Sequence, residues 1–124
     1  MPYNIVWEER GASTKFTGKI TIDEINQAND EHYGDPRYDD LKYQLFDFTS
    51  ADLSAITLDD AKYPAAIDKA ANTYKLMLKV ALVAKNDYAK TLCREYINLS
   101  MQFNSTWVFG VFDSYKKAKD WCSL

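Results

Sequence analysis

His32 is the only histidine in the 124-residue chain, and imidazole can act as a general base or a metal ligand near neutral pH. Both roles need partner side chains. The neighbouring acids, Asp30 and Glu31, are adjacent to His32 in sequence, and adjacent residues of a helix point in different directions. Histidine also suits the C-terminal end of a helix, where the helix dipole favours positive charge. We therefore predict an exposed histidine near the end of a helix.

Carboxylates occur in two adjacent pairs, Asp39/Asp40 and Asp59/Asp60. Paired carboxylates perform acid–base catalysis when they are buried together, but neighbours in sequence seldom face each other, which favours roles in turns and helix caps. Asp47 differs because it lies among apolar residues at the end of a predicted strand, where ligands of α/β folds usually bind. Two interpretations stay open for it: a ligand-binding carboxylate, or one that hydrogen-bonds a neighbouring helix or loop, since a buried charge needs partners.

Aromatic side chains recur along one predicted helix. Tyr88, Leu92, Tyr96, Leu99 and Phe103 follow one another at the spacing of a helical stripe. Such a stripe is either ordinary core or, together with nearby tyrosines, the lining of an apolar pocket. The candidate ligand-binding residues are therefore Asp47, Tyr63, Tyr74, Tyr88, Tyr96 and Phe103.

Other catalytic and cofactor motifs are missing from the sequence. Cys93 and Cys122 have neither CxxC spacing nor a nearby histidine, so we predict two reduced thiols, at least one of them packed in a helix. A single histidine makes a zinc site improbable, and no Gly-x-Ser-x-Gly motif or glycine-rich loop follows a strand. We predict no metal, no cofactor and no catalytic residue.

Composition indicates a globular protein and excludes several partners. Apolar residues make up 47% and charged residues 27%, so we predict one folded domain over residues 1–124. The net charge is −3 and the longest basic cluster, Lys116, Lys117 and Lys119, is interrupted, which argues against nucleic acid and against a polybasic membrane anchor. The apolar run at 76–84 is too short to span a bilayer, and residues 1–10 contain no apolar segment of a signal peptide. We therefore expect a cytoplasmic protein without a transmembrane segment.

The elements that must position these residues follow from periodicity and capping. Thr21 and Glu24 form a capping box at the start of the first helix, and Asn86-Asp87 caps the third. Residues 11–13 are typical of a hairpin turn. The second helix contains Pro64, so it either restarts there or kinks. We predict strands at 3–9, 15–20, 41–49, 76–84 and 106–112, and helices at 22–33, 57–74, 87–103 and 115–122.

The predicted order is ββαβαβαβα, an α/β fold with an opening hairpin and a mixed, mostly parallel sheet covered by helices. Its segments are Gly18-Lys19-Ile20-Thr21 leading into residues 22–25, Asp35-Pro36-Arg37, Leu45-Phe46-Asp47-Phe48, Val80-Ala81-Leu82-Val83, and Val111-Phe112-Asp113 with Ala118 and Trp121. Over most of its length, this order resembles the SpoIIAA-like or STAS-like family, which is related to the CRAL-TRIO lipid-binding domains.

The resemblance implies alternatives that the residues do not separate. Anti-sigma-factor antagonists of this fold carry a phosphorylatable serine before a glycine, whereas residues 47–52 contain no Ser-Gly pair. Ser50, Ser54 and Thr57 remain candidate hydroxyls, but a phosphate there would lie beside carboxylates and be repelled. We expect a bacterial, non-catalytic binding module that holds a small apolar, lipid-like ligand or a protein partner. The alternatives are a regulatory protein-interaction domain, which could be a homodimer, and a small enzyme.

Overall fold

The structure is a computed structural model that describes residues 2–124. Its five strands lie side by side in chain order, with β1 antiparallel to β2 and every later neighbour parallel. The strands are β1 (Tyr3–Glu8), β2 (Gly11–Lys19), β3 (Tyr43–Asp52), β4 (Lys79–Val83) and β5 (Val108–Phe112). The predicted α/β class with a mixed, mostly parallel sheet is confirmed.

Four helices complete the predicted order: α1 (Ile22–Tyr33), α2 (Lys62–Asn72), α3 (Asp87–Gln102) and α4 (Tyr115–Cys122). Successive crossovers step in the same direction along the sheet, so right-handed connections place α1, α2 and α3 on one face. On that face α2 packs between α1 and α3. The final helix, α4, packs against β3, β4 and β5. Three helices thus cover one face and α4 alone covers part of the other.

Alternation along the buried strands divides the apolar residues between two cores. In β3, Phe46 and Phe48 join the large core under α1–α3, while Tyr43 and Leu45 join the small core under α4. The same alternation continues in β4, where Leu82 belongs to the large core and its two neighbours to the small one. A strand buried on both faces reads as a continuous apolar run, as β4 does.

Several local expectations are confirmed, and three predicted elements begin later than expected. The capping box of Thr21 and Glu24 starts α1, Asn86 caps α3, and Pro64 lies in the first turn of α2. The apolar run at 76–84 is only partly strand, because β4 begins at Lys79 and the side chains of Leu76 and Met77 are exposed. Likewise β5 begins at Val108 rather than at 106, and α2 begins at Lys62 after a short 3₁₀ helix, Asp59–Ala61.

The hairpin turn lies just before the predicted residues 11–13. Residues 9 and 10 make the turn, with Arg10 at φ 59, and Gly11 already pairs with Glu8 inside the sheet. Gly11 is required for another reason, since a Cβ there would lie 2.0 Å from Cζ of the Tyr43 ring. The glycine therefore marks a close approach of an aromatic ring to the strand rather than a turn.

Candidate functional site

A narrow cleft lies on the three-helix face of the sheet. Its floor is formed by Phe46, Phe48 and Leu82 from the strands, and its walls come from α1, the segment after β3, and helices α2 and α3. The wall residues are Ile22, Ile25, Asn29, Leu53, Ile56, Ala61, Pro64, Leu92, Cys93 and Tyr96. We refer to this feature as the helix-face cleft.

The chain topology puts the helix-face cleft at the carboxyl ends of the parallel strands. Ile22 opens α1 just after β2, Leu53 and Ile56 follow β3, and Leu92 lies in the early turns of the helix that follows β4. In open α/β sheets this edge is where ligands usually bind, because loops there can vary while the sheet holds them in place. The helix-face cleft therefore lies at the edge of the sheet where ligand sites of this class of fold usually form.

The helix-face cleft is small and uncharged. Its volume is about 70 Å³, roughly half of the about 150 Å³ of an engineered apolar cavity that holds benzene. None of the lining side chains bears a charge, and only Asn29 and Tyr96 carry side-chain nitrogen or oxygen atoms. Such a space accepts a short apolar group and offers it few hydrogen bonds.

Asn29 is placed in the wall by the periodicity of α1. It follows Ile22 and Ile25 at intervals that keep all three on one face of the helix. The residue is 5% exposed, its amide makes no side-chain hydrogen bond with the part of the chain that the structure describes, and its amide atoms keep some contact with solvent. Buried amides are normally hydrogen-bonded, so this side chain brings unused donor and acceptor capacity to the cleft.

A buried carboxylate lies directly behind the other polar residue of the cleft. Asp68, on α2, accepts a hydrogen bond from the Tyr33 hydroxyl on one carboxylate oxygen and from the Tyr96 hydroxyl on the other. We call Asp68, Tyr33 and Tyr96 the acid cluster. It joins α1, α2 and α3, so it fixes the distance between the helices that form the cleft walls.

Burial controls ionisation in the acid cluster and in the cleft thiol. Burial raises the pKa of Asp68 to about 6, although the two tyrosine hydroxyls act in the opposite direction by stabilising the carboxylate. Burial, together with the Asp68 charge, holds the pKa of Tyr33 and Tyr96 well above the usual range. Burial also raises the pKa of the Cys93 thiol to about 12, so this sulfur stays protonated near neutral pH.

The sequence interpretation missed Asp68, although a signal for it exists. Ala61, Pro64, Ala65 and Asp68 recur at helical spacing, and all four are buried. A charged residue on the apolar face of a helix indicates a buried partner. Both partners are tyrosines, on helices that lie 35 and 28 residues away in sequence.

The prediction of an exposed His32 is wrong. The ring is fully buried at the end of α1, with Nε2 2.8 Å from the Thr14 hydroxyl and Nδ1 2.9 Å from the Gln44 side-chain nitrogen. It stacks on Phe46 and lies beside Trp7. The neutral imidazole with its proton on Nε2 satisfies both bonds, and burial lowers the pKa of His32 to about 4. We call His32, Thr14 and Gln44 the histidine cluster.

Asp47 has a local partner. It is buried, and its carboxylate accepts hydrogen bonds from the backbone N–H and the hydroxyl of Thr49, at 3.0 and 2.7 Å. Thr49 lies two residues further along the same strand, so the carboxylate is bonded within β3 and not by the neighbouring helix or loop that the second interpretation expected. Asp47 belongs to the strand face opposite that of Phe46 and Phe48, so it does not line the helix-face cleft.

The structure does not gather the predicted aromatic residues into one pocket. Tyr96 lines the helix-face cleft, whereas Tyr88 is 41% exposed and donates its hydroxyl to the Ile56 carbonyl beside it. Tyr63 and Tyr74 are exposed, and the Lys69 ammonium lies over the half-buried ring of Phe103. Of the six candidate residues, Tyr96 alone belongs to the cleft lining.

A larger concavity of about 750 Å³ lies beyond α1, against β1 and β2. Charged residues such as Lys15, Glu31 and Asp35 line it. Its aromatic lining residues are Tyr3 and Trp7. The Trp7 ring is covered by the Arg37 guanidinium, 4.3 Å from the ring centroid, and Asp35 holds that guanidinium at 2.8 Å. Because the aromatic face and the guanidinium are already engaged with each other, this open groove is a weaker candidate than the helix-face cleft.

Neither a membrane span nor a metal centre is found in the described residues. Between residues 2 and 124 no helix has the length and apolar character needed to cross a bilayer. Over the same residues, no three side chains of the His, Cys, Asp and Glu types are grouped so that they could hold a metal ion. Both cysteines are free, as predicted, and both are buried.

Comparison with known proteins shows the fold. No family model and no curated protein matches the chain. The structure is similar to that of an uncharacterised protein of the DUF3478 family from Shewanella loihica PV-4, which has a SpoIIAA-like fold. The match has a TM-score of 0.51 and 14% sequence identity, and it covers 97% of this chain and 91% of the other. The predicted SpoIIAA-like fold is therefore confirmed.

Proposed function

We propose that this SpoIIAA-like chain is a non-catalytic binding module that holds a small apolar ligand in the helix-face cleft. The observation that carries the proposal is an uncharged, almost wholly apolar cleft at the carboxyl ends of the parallel strands. Apolar concavities with one or two polar groups are typical of ligand sites, and this edge of an open α/β sheet is where they usually form.

The side chains around the helix-face cleft support binding rather than catalysis. The Cys93 thiol stays protonated because burial raises its pKa to about 12, so it is a poor nucleophile. The Tyr96 hydroxyl is already engaged in a bond to Asp68, and Asp68 lies outside the lining. What these residues offer a ligand is shape, burial and a small number of hydrogen bonds.

The volume of the cleft limits the part of the ligand that it can enclose. About 70 Å³ accommodates a short alkyl group rather than a whole lipid chain. We therefore propose that a short apolar end enters between α1 and α3, and that the remainder of a longer ligand lies outside the enclosed space, along the half-buried Ile22 and Ile25. Each buried methylene adds about 0.8 kcal/mol, so a short group binds weakly by itself.

A titration with 1-chlorobutane, a neutral probe of matching size, tests this proposal. Methyl NMR spectra should show shifts at Ile56, Leu82 and Leu92, which line the cleft. The variant Ala61→Leu adds side-chain volume to the lining and should weaken or abolish binding. Its matched control is Ala66→Leu, an exposed position on the adjoining helix, which should bind like the unmodified protein.

Two results would count against the binding module. One is the absence of shifts at the cleft methyls up to saturating probe. The other is equal binding by the Ala61→Leu and Ala66→Leu variants, which would place the probe elsewhere. Urea unfolding of both variants checks that they are folded before their binding is compared.

A further inference from the structure

We infer that the ligand of the helix-face cleft is a neutral molecule that carries a hydroxyl or carbonyl group beside its apolar end, and that the Asn29 amide hydrogen-bonds this group. The inference rests on the proposed function, because it names the chemical class of ligand for the same cleft. It is carried by one buried amide with free hydrogen-bonding capacity and by the absence of charge in the cleft lining.

The position of Asn29 explains why its amide is available to a ligand. The side chain lies in the wall between Ile25 and the acid cluster, is 5% exposed and has no side-chain hydrogen bond to the described residues. Its amide atoms keep some contact with solvent, because they are not among the fully buried side-chain atoms that lack a hydrogen-bond partner. A ligand that enters the cleft displaces this water, so a ligand group that can hydrogen-bond the amide is favoured over one that cannot.

The second polar group of the lining cannot take the same role with its proton. The Tyr96 hydroxyl donates to Asp68, which leaves only lone pairs on its oxygen for another molecule. Asn29, in contrast, offers both donors and an acceptor. A hydroxyl can therefore donate to or accept from Asn29, and a carbonyl can accept from it.

Charge explains why the ligand is neutral. A carboxylate entering the helix-face cleft would give up its hydration, and the lining contains no lysine, arginine or histidine to replace it. Asp68, fully buried behind Tyr96, would repel it further. An ammonium group would also lose water without reaching a carboxylate, because both Asp68 oxygens are covered by tyrosine hydroxyls.

Three probes of equal chain length separate these possibilities: 1-butanol, 1-chlorobutane and butyrate, titrated at about pH 8, where the acid is ionised. We expect butanol to bind at least tenfold more tightly than butyrate and to shift the side-chain amide signals of Asn29. The variant Asn29→Leu should weaken butanol about fivefold, the usual effect of one hydrogen bond, and change chlorobutane binding less than twofold.

The outcomes distinguish this inference from the proposal beneath it. If chlorobutane binds but butanol is insensitive to Asn29→Leu, or butyrate binds as tightly as butanol, the assignment of Asn29 and of a neutral ligand is overturned while the binding module stands. If none of the three probes binds the unmodified protein, both are overturned. The Asn29 amide signals are observed in the unmodified protein, so the test does not depend on how well the variant folds.

Discussion

Two buried polar clusters lie on the same face of the sheet, and they differ in how their buried groups are hydrogen-bonded and in whether they border free space. In the histidine cluster, a neutral ring is bonded at both nitrogens by neutral side chains and stacked on Phe46. In the acid cluster, a carboxylate is bonded by two tyrosine hydroxyls and lies behind the wall of a cleft. The first cluster is satisfied and closed, while the second borders the free space of the helix-face cleft.

The difference teaches that a buried titratable group need not mark a functional site. His32 is the residue whose type most suggests catalysis, yet both of its nitrogens already have partners and nothing is left to meet a substrate. Asp68 has the same degree of satisfaction, but its partner Tyr96 also lines the cleft. Function is therefore more readily sought next to the acid cluster, and the predictions below test how separate the two clusters are.

The largest effect should come from removing the imidazole. His32→Ala deletes a fully buried ring and leaves the Thr14 hydroxyl and the Gln44 amide without their partner. We expect the free energy of unfolding to fall by about 4 kcal/mol, since cavity formation and unpaired polar groups add. Urea unfolding at neutral pH measures this loss.

A matched control for this change is Glu31→Ala, the exposed neighbour on the same helix, which should alter stability by less than about 0.5 kcal/mol. Binding of 1-chlorobutane to folded His32→Ala protein should persist, because the ring does not line the cleft. A His32→Ala protein as stable as the Glu31→Ala protein would show that the histidine cluster does not hold the fold together.

The next effect concerns pH, because the two clusters bind protons in opposite senses. The pKa of Asp68 is raised from 3.8 to about 6 on folding, so its protonated form stabilises the protein below about pH 4 and this contribution is lost as pH rises through 6. The pKa of His32 is lowered from 6.5 to about 4, so its contribution is present above about pH 6.5 and lost as pH falls through 4. Between pH 4 and 6 the two slopes oppose each other.

Asp68→Asn should remove one of these slopes. Relative to the unmodified protein, the variant should gain about 3 kcal/mol of stability as pH rises from 4 to 6, since raising a pKa from 3.8 to about 6 has this value. Urea unfolding of both proteins at a series of pH values gives the difference, in which the other groups cancel. A difference that stays constant across this range would mean that Asp68 is not the group that titrates.

The two clusters also show which features of the fold sequence patterns can predict and which they cannot. Capping boxes, helical stripes and the continuous apolar run of β4 depend on residues close in sequence, and they predicted the order of elements and the sheet type. His32 was misplaced because its bonding partners Thr14 and Gln44 lie 18 and 12 residues away on two strands. The prediction of an exposed His32 used only its position at the helix end and the helix dipole, whereas contacts with distant strands determine the environment of the ring.

The role of Gly11 also depends on a contact that is distant in sequence. A glycine between two strands predicts a turn, but here it makes room for the ring of Tyr43 from a strand 32 residues later. The candidate site depended on even longer connections, since the cleft is assembled from α1, the segment after β3, and α3. Tyr96 was predicted from its helical stripe. Asn29 and Asp68 were not, because the role of a polar residue on an apolar helix face depends on its contacts with other helices, which the local sequence does not show.

A smaller effect should distinguish the two hydroxyls of the acid cluster from ordinary surface tyrosines. Tyr33→Phe and Tyr96→Phe each remove one donor to the buried Asp68 carboxylate. Bonds to charged groups contribute about 1.5–3 kcal/mol, so we expect each variant to lose about 2 kcal/mol near pH 8. The loss should be smaller near pH 5, where Asp68 is mostly protonated in the folded state.

Tyr63→Phe is the control for these changes, because Tyr63 lies on α2 and its side chain is exposed. It should change stability by less than about 0.5 kcal/mol at either pH. If Tyr33→Phe and Tyr96→Phe lose equal stability at pH 5 and pH 8, the hydroxyls act by packing alone and the charge on Asp68 does not matter to them.

The smallest effect should have the opposite sign and fall at the cleft itself. Asn29→Leu replaces a buried amide that lacks a side-chain partner with an apolar group of similar size, which suits its neighbours Ile22 and Ile25. Because no side-chain hydrogen bond to the described residues is lost and an apolar group replaces an amide in an apolar wall, we expect stability to rise by about 1 kcal/mol. Asn98→Leu, at an exposed position on α3, should change stability by less than about 0.5 kcal/mol.

A protein that is more stable without Asn29 retains a residue that its fold does not need, as expected when the residue serves a ligand. A loss of stability in Asn29→Leu would instead give the amide a structural role and bring it closer to the histidine cluster than to a binding site.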